Sequence, residues 1–385
     1  MSVAADTPFS RRRNGRLRGD EALGRSARAR SGILRHSASS RRLEGEMTTS
    51  LQLPPIAATT VGSFPRPAWL ARSERTRVAF VLADEVLREG QDDATALAIR
   101  DQERLGLDLL SDGEQRREAF IDHVLGGMDG FDLVNRADKA IRRSQNVRSV
   151  PRVVGKVSRR GPIVVADLRF AKAHTGRPIK MTVPGPMTAI DSSADEAYGD
   201  EAALAMDIAA ALNAEILDLQ AAGCDVIQID EPAMTRFHEK AADYGVRALD
   251  RCLDGVTIPS IVHLCYGYPG GNLHQHEYQY PELLELLQGC RIGGYSMEFA
   301  RSGYDPAVLA GCADRIVMFG CVDPGETPLE PIENVLDRVR GALRYVPPER
   351  LWLAPDCGLM VIERALARQK AAQLVEVAAR LRREM

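Results

Sequence analysis

Eight short apolar segments, each followed by an amphipathic stretch of helical period, predict an α/β chain; eight such units predict a closed (β/α)8 TIM barrel. Residues able to do chemistry recur just beyond the strand segments: Ser63, Glu114, Asp230, His263, Cys265, Glu298 and Cys357. A barrel gathers all of these at one mouth, where barrel active sites lie. No dinucleotide-binding glycine fingerprint follows the first strand, so an open doubly wound sheet is the second choice.

The units run in order. Ile56 to Val61 reads as a strand ending in Gly62-Ser63-Phe64-Pro65. Residues 76–106 have helical period with a break expected near Gly90, and Leu107 to Ser111 is a strand ending in Asp112-Gly113-Glu114. A helical pattern covers 115–126. Basic, partly extended residues at 140–165 mark an expected insertion around 127–175. Pro178 to Val183 is the third strand, and residues 200–222 form an Ala-rich helix stopped by Gly223. Cys224 to Ile229 is followed by Asp230-Glu231-Pro232, then by a helix near 238–253. The strand containing Ile261-Val262-His263-Leu264-Cys265 precedes a helix near 281–288. Gly293 to Met297 ends at Glu298, ahead of a short helix over 305–312. Arg315 to Gly320 precedes a helix at 329–345; Leu351 to Ala354 ends in Pro355-Asp356-Cys357-Gly358, before a helix at 362–384.

With 385 residues, 45% of them apolar and 27% charged, the chain is long enough for a large core. Residues 51–385 are expected to form the barrel domain. Residues 1–50 are Arg-rich and lack apolar periodicity, so they are expected to be disordered. A basic arm for RNA and a targeting peptide are the functional readings of that stretch. Met47, just ahead of the first strand, reads more simply as an alternative start. The net charge of −3 gives no field for nucleic acid, and no apolar run reaches the roughly 20 residues of a membrane span. Seven scattered cysteines suit reduced thiols, so the expected location is cytoplasmic.

His263 and Cys265 are two apart, and a strand sends such a pair to one face. They supply half of a tetrahedral zinc site, and Glu298 and Cys357 stand at two later strand ends with the right chemistry. Three anionic donors against Zn²⁺ leave about −1, a charge that suits activation of a bound thiolate. Small core cysteines and a satisfied core histidine are the bland alternative. Asp230, Glu231 and Glu114 have their own: strand-end charges paired with nearby Arg or Lys.

Seven strings in order also carry a resemblance. They are Val61-Gly62-Ser63-Phe64-Pro65, Asp112-Gly113-Glu114, Pro184-Gly185-Pro186-Met187-Thr188, Gln228-Ile229-Asp230-Glu231-Pro232-Ala233, His263-Leu264-Cys265-Tyr266, Glu298 and Pro355-Asp356-Cys357-Gly358-Leu359. From about Thr60 to Arg364 the chain resembles the catalytic barrel of cobalamin-independent methionine synthases. The resemblance implies zinc on His263, Cys265, Glu298 and Cys357, with homocysteine held by Gly62, Ser63, Glu114 and Asp230. It implies an enzyme that methylates the homocysteine thiol to give methionine, with Glu114 and Asp230 its catalytic residues. No acid or base need touch the sulfur, since the metal lowers its pKa.

The chain departs from that pattern on the donor side. The family's second, N-terminal barrel is missing. No aromatic follows Thr188 in Ala189-Ile190-Asp191-Ser192-Ser193, and Pro324 follows Asp323 where the family has a proton-donating His. Met360-Val361-Ile362 replaces basic residues. A single-barrel form is implied, whose methyl donor is a corrinoid protein, methylfolate or another carrier. Tyr266, Tyr278 and Tyr280 are candidates for a lid or donor platform, and His274 and His276 read as members of a solvated loop. Rival functions are zinc-dependent alkyl transfer involving coenzyme M, a metal-free uroporphyrinogen-decarboxylase-like enzyme, and a non-catalytic binding module. Carboxylates at Glu114 and Asp230 favour an amino acid thiol over a sulfonate.

Overall fold

The computed structural model describes residues 51–74, 77–143, 147–266, 280–325 and 327–385. The expectations for residues 1–50, Tyr278, His274 and His276 lie outside these. In chain order the strands are β1 (Ala57–Ala58), β2 (Ala71–Glu74), β3 (Arg77–Phe80), β4 (Met128–Ala140), β5 (Val147–Arg159), β6 (Lys180–Pro184), β7 (Ala194–Asp195), β8 (Val226–Asp230), β9 (Ser260–Leu264), β10 (Gly294–Glu298), β11 (Ile316–Val322) and β12 (Leu351–Pro355). Seven of them make one parallel sheet in the order β1-β12-β11-β10-β9-β8-β6. Two isolated parallel bridges, Thr59 with Leu109 and Leu110 with Ile179, join its ends through the expected second strand. The ring therefore closes as the predicted barrel, with an eighth strand only a bridge long.

The helices are α1 (Asp84–Leu105), α2 (Phe120–Leu125), α3 (Val165–Ala173), α4 (Pro186–Asp191), α5 (Glu201–Ala221), α6 (His238–Lys240), α7 (Val246–Cys252), α8 (Tyr280–Leu287), α9 (Ile332–Ala342) and α10 (Arg364–Glu384). Apolar stripes on the longer ones account for their packing. Leu204, Ile208, Leu212, Ile216 and Leu219 of α5 are all buried, at spacings of four and three residues. Asp200 caps α5 by accepting from the Ala202 and Ala203 amides.

Three stretches call for description beyond the barrel units. Residues 77–83 are not helix: β2 and β3 form an antiparallel hairpin, and α1 begins only at Asp84. The helix then runs through Gly90 unbroken, because that residue is buried under Leu82 and Trp69, where a side chain would not fit. The stretch expected as an insertion folds as a long antiparallel β4–β5 hairpin followed by α3. Met128, Val153 and Val157 anchor that hairpin in the main core. The helix near 238–253 contains a π turn at Ala241–Gly245 between α6 and α7.

Candidate metal and substrate site

Strands β9, β10 and β12 end side by side with β11 at one mouth, and that is where the predicted ligands sit. His263 is paired with Ser296 across the β9–β10 ladder, and Cys265 and Cys357 follow β9 and β12. The ligand atoms of His263, Cys265 and Cys357 all lie within 4.8 Å of one another. Donors around one tetrahedral zinc stand roughly 3.3–3.8 Å apart, given metal bonds of about 2.0–2.3 Å. Glu298 is not part of this close group; it is buried, and its carboxylate accepts from the Tyr266 amide at 3.3 Å.

The imidazole gives the sharpest sign of a missing partner. His263 Nδ1 is hydrogen-bonded to Ser296 Oγ at 2.7 Å, while Nε2 is buried with no hydrogen-bond partner. A ligating histidine is normally held through its other nitrogen in this way. The charges fit as well. A hydrogen bond from Cys357, with His263 beside it, holds the Cys265 thiol well below the usual thiol range despite burial. The same bond, together with burial, pushes Cys357 up. Burial would lower His263, but the Cys265 thiolate and Asp230 outweigh it. Burial and Cys265 raise Glu298. Two sulfurs, a nitrogen and a nearby carboxylate make a donor set that zinc accepts.

Second-layer contacts keep these donors in place. Asp356 accepts from the Phe299, Ala300 and Arg301 amides at 3.0, 3.0 and 2.7 Å, tying the loop beyond Glu298 to the Cys357 loop. Tyr280 Oη bridges β9 and β10, donating to the Leu264 carbonyl at 3.0 Å and accepting from the Glu298 amide at 2.9 Å. Tyr280 thus packs inside the core rather than standing in a platform, with its ring against Tyr266 and Tyr304.

The candidate substrate residues adjoin the cluster. Ser63 Oγ lies against Gly358, where a Cβ would come within 2.1 Å of it, and Leu359 donates its amide to the Ser63 carbonyl. Glu114 Oε1 sits only 2.6 Å from where a Cβ on Gly62 would be, so the carboxylate depends on that glycine's lack of a side chain. Glu114 has a left-handed backbone, φ +56°, a conformation costing about 1–3 kcal/mol outside glycine. It accepts from Thr182 Oγ1 at 3.0 Å. Burial raises its pKa against the pull of Arg117. Asp230 pairs in register with His263 and accepts from Gln228 Nε2 at 2.6 Å. Burial raises it to about 7, while His263 and the Gln228 hydrogen bond draw it down.

Neighbouring charges settle two of the bland alternatives. Glu231 is buried and caps the start of α4, accepting from the Met187 and Thr188 amides and the Thr188 hydroxyl. It is a structural carboxylate. Arg117 donates to the Thr182 carbonyl and hydroxyl, at 2.9 and 3.0 Å, and that hydroxyl stands between it and the Glu114 carboxylate. Sequence reasoning missed Lys180, Ser296, Gln228 and Asp356. A lysine inside an apolar strand segment and a serine two residues before Glu298 were the available signals.

Comparison with known proteins agrees with this geometry. Residues 56–380 match the model of the family described as cobalamin-independent synthase, catalytic domain. A protein named methionine synthase from Sulfurisphaera tokodaii is 31% identical over 87% of this chain and 95% of its own length. One of the same name from Saccharolobus solfataricus is 32% identical over 87% and 97%. The solved structure of a B12-independent methionine synthase from Shewanella sp. W3-18-1, in complex with selenomethionine, superposes with a TM-score of 0.83. It has 35% identity and covers 86% of this chain and 99% of its own. A methyltransferase from Methanosarcina mazei, 16% identical with a TM-score of 0.58, shares the fold alone. With a match spanning its whole barrel, the chain belongs to the cobalamin-independent synthase family.

Proposed function

We propose that this protein is a zinc-dependent methyltransferase that transfers a methyl group to the thiol of homocysteine, forming methionine. The observation that carries the reading is the meeting of His263, Cys265 and Cys357 at one barrel mouth around an unpartnered imidazole nitrogen. The family supports methyl transfer to homocysteine. The Shewanella relative was solved with selenomethionine, the selenium counterpart of the product.

His263, Cys265 and Cys357 would hold the zinc, with Glu298 as the fourth donor. Bound there, zinc would lower the pKa of the thiol and leave its sulfur nucleophilic. The chain's own residues do the rest. Ser296 fixes the imidazole plane. Glu114 and Asp230 accept the substrate ammonium, and the Gly62–Ser63 turn offers an amide and a hydroxyl to its carboxylate. Held at both ends, the amino acid can place its thiol only toward the cysteines. Burial of this floor excludes water and strengthens each of these contacts.

The methyl donor is a corrinoid protein, methylfolate or another carrier; the lack of an aromatic in the five residues after Thr188 weighs against a folate platform of the usual kind. No described helix is long and apolar enough to cross a membrane, and the seven cysteines are all free, which fits a reducing cytoplasm.

The test is metal analysis combined with methionine formation from homocysteine, using methylfolate mono- and polyglutamates, methylcobalamin and methylated corrinoid protein as donors. Cys357→Ser is expected to lose zinc and activity together. Full activity in protein carrying no zinc overturns the reading.

A further inference from the structure

Lys180 has no exposed surface, in an interior that barrels ordinarily fill with Val, Ile and Leu. Its Nζ lies 3.5 Å from Met318 Sδ on β11, a strand separated from β6 by three others, so the side chain points across the barrel. Burying an ammonium is costly unless acceptors surround it. Three do: the carbonyls of Thr60 and Val61, at 2.8 and 2.9 Å, and Gln228 Oε1. Those two carbonyls come immediately before Gly62 and Ser63. The Gln228 amide has one oxygen and one nitrogen, and the lysine, a donor only, claims the oxygen. The nitrogen is thereby left to face Asp230, to which it donates at 2.6 Å. Without the ammonium the amide is free to turn over and present oxygen to carboxylate, which repels. The donors of the metal cluster take no part in these bonds: Ser296 holds His263 and Asp356 holds the loop that carries Cys357.

We propose that Lys180 is a positioning residue for substrate: through Gln228 it orients the Asp230 carboxylate, and through the Thr60 and Val61 carbonyls it sets the Gly62–Ser63 turn. It therefore serves both ends of the amino acid moiety, ammonium and carboxylate, and contributes to choosing an amino acid thiol over a plain one. This rests on the homocysteine reading above and deepens it. The two branches are separable, because Gln228 leads only to Asp230.

The experiment is calorimetric titration of the zinc-loaded protein with homocysteine and with 4-mercaptobutyrate, which keeps the thiol and carboxylate but lacks the ammonium. Zinc content and melting temperature are measured for each variant. Gln228→Leu is expected to weaken homocysteine by about tenfold or more and to leave 4-mercaptobutyrate within about threefold. Lys180→Met is expected to weaken both by about tenfold or more while keeping its zinc. Should Lys180→Met fail to fold, Gln228→Leu alone decides the Asp230 branch. Homocysteine binding unchanged in the folded variants overturns the proposal, as does loss of zinc in step with loss of affinity. Wild-type protein that holds zinc yet binds no homocysteine overturns the functional reading itself, before any variant is compared.

Discussion

The clearest residue-scale feature is the histidine with one nitrogen tied and the other idle. Ser296 was not legible from the motif strings, because a ring nitrogen's partner comes from the neighbouring strand and depends on register. Ser296→Ala removes that tie without touching a ligand. It is expected to weaken zinc binding about 10- to 100-fold, measured by competition with a chromophoric chelator. A second buried group carries a pH signature. Burial, then Asp112, raises Asp167 to about 7 against the pull of Arg117 and Arg116. A carboxyl with a higher pKa folded than unfolded keeps its proton longer in the native state. Its contribution favours folding below about pH 4 and is lost as pH rises toward 7. Asp167→Asn keeps the shape and removes the titration. The change in melting temperature on going from about pH 4.5 to 7.5 is then expected to be more positive in the variant than in the wild type.

Among the elements, strand ends were legible and strand partners were not. The string Pro355-Asp356-Cys357-Gly358 gave a ligand and a motif, yet the work of Asp356 became visible only with the loop after β10 placed against it. One carboxylate there satisfies the Ala300 and Arg301 amides and shares the Phe299 amide with the Gly320 carbonyl. Asp356→Ala strands those amides in a buried site. A loss of about 1.5–3 kcal/mol is expected in denaturant unfolding, together with weaker zinc binding. The β2–β3 hairpin was hidden for a different reason. Its sequence, Ala71-Arg72-Ser73-Glu74 through Arg77-Val78-Ala79-Phe80, also suits a helix, and only its pairing separates the two. Likewise the second barrel strand reads as five residues but pairs through single bridges, a property of the ring and not of the segment.

For the molecule as a whole, the alternation of strand and helix was enough to give the barrel, since closure follows from the number of units. The meeting of His263, Cys265 and Cys357 was legible too, as two strand ends on one ring. Glu298 reached the same mouth but outside the tight group, a distinction no spacing carries. An ion shared by the ends of β9 and β12 would staple strands that are three apart in the sheet. Chelator-treated protein is therefore expected to melt roughly 3–6 °C below zinc-loaded protein in a thermal scan with zinc in hundredfold excess over its dissociation constant. A different consequence follows from the Tyr266–Tyr280 ring pair, whose centroids are 5.2 Å apart. Both rings are buried, so the end of β9 and the start of α8 are fastened to one another at that point.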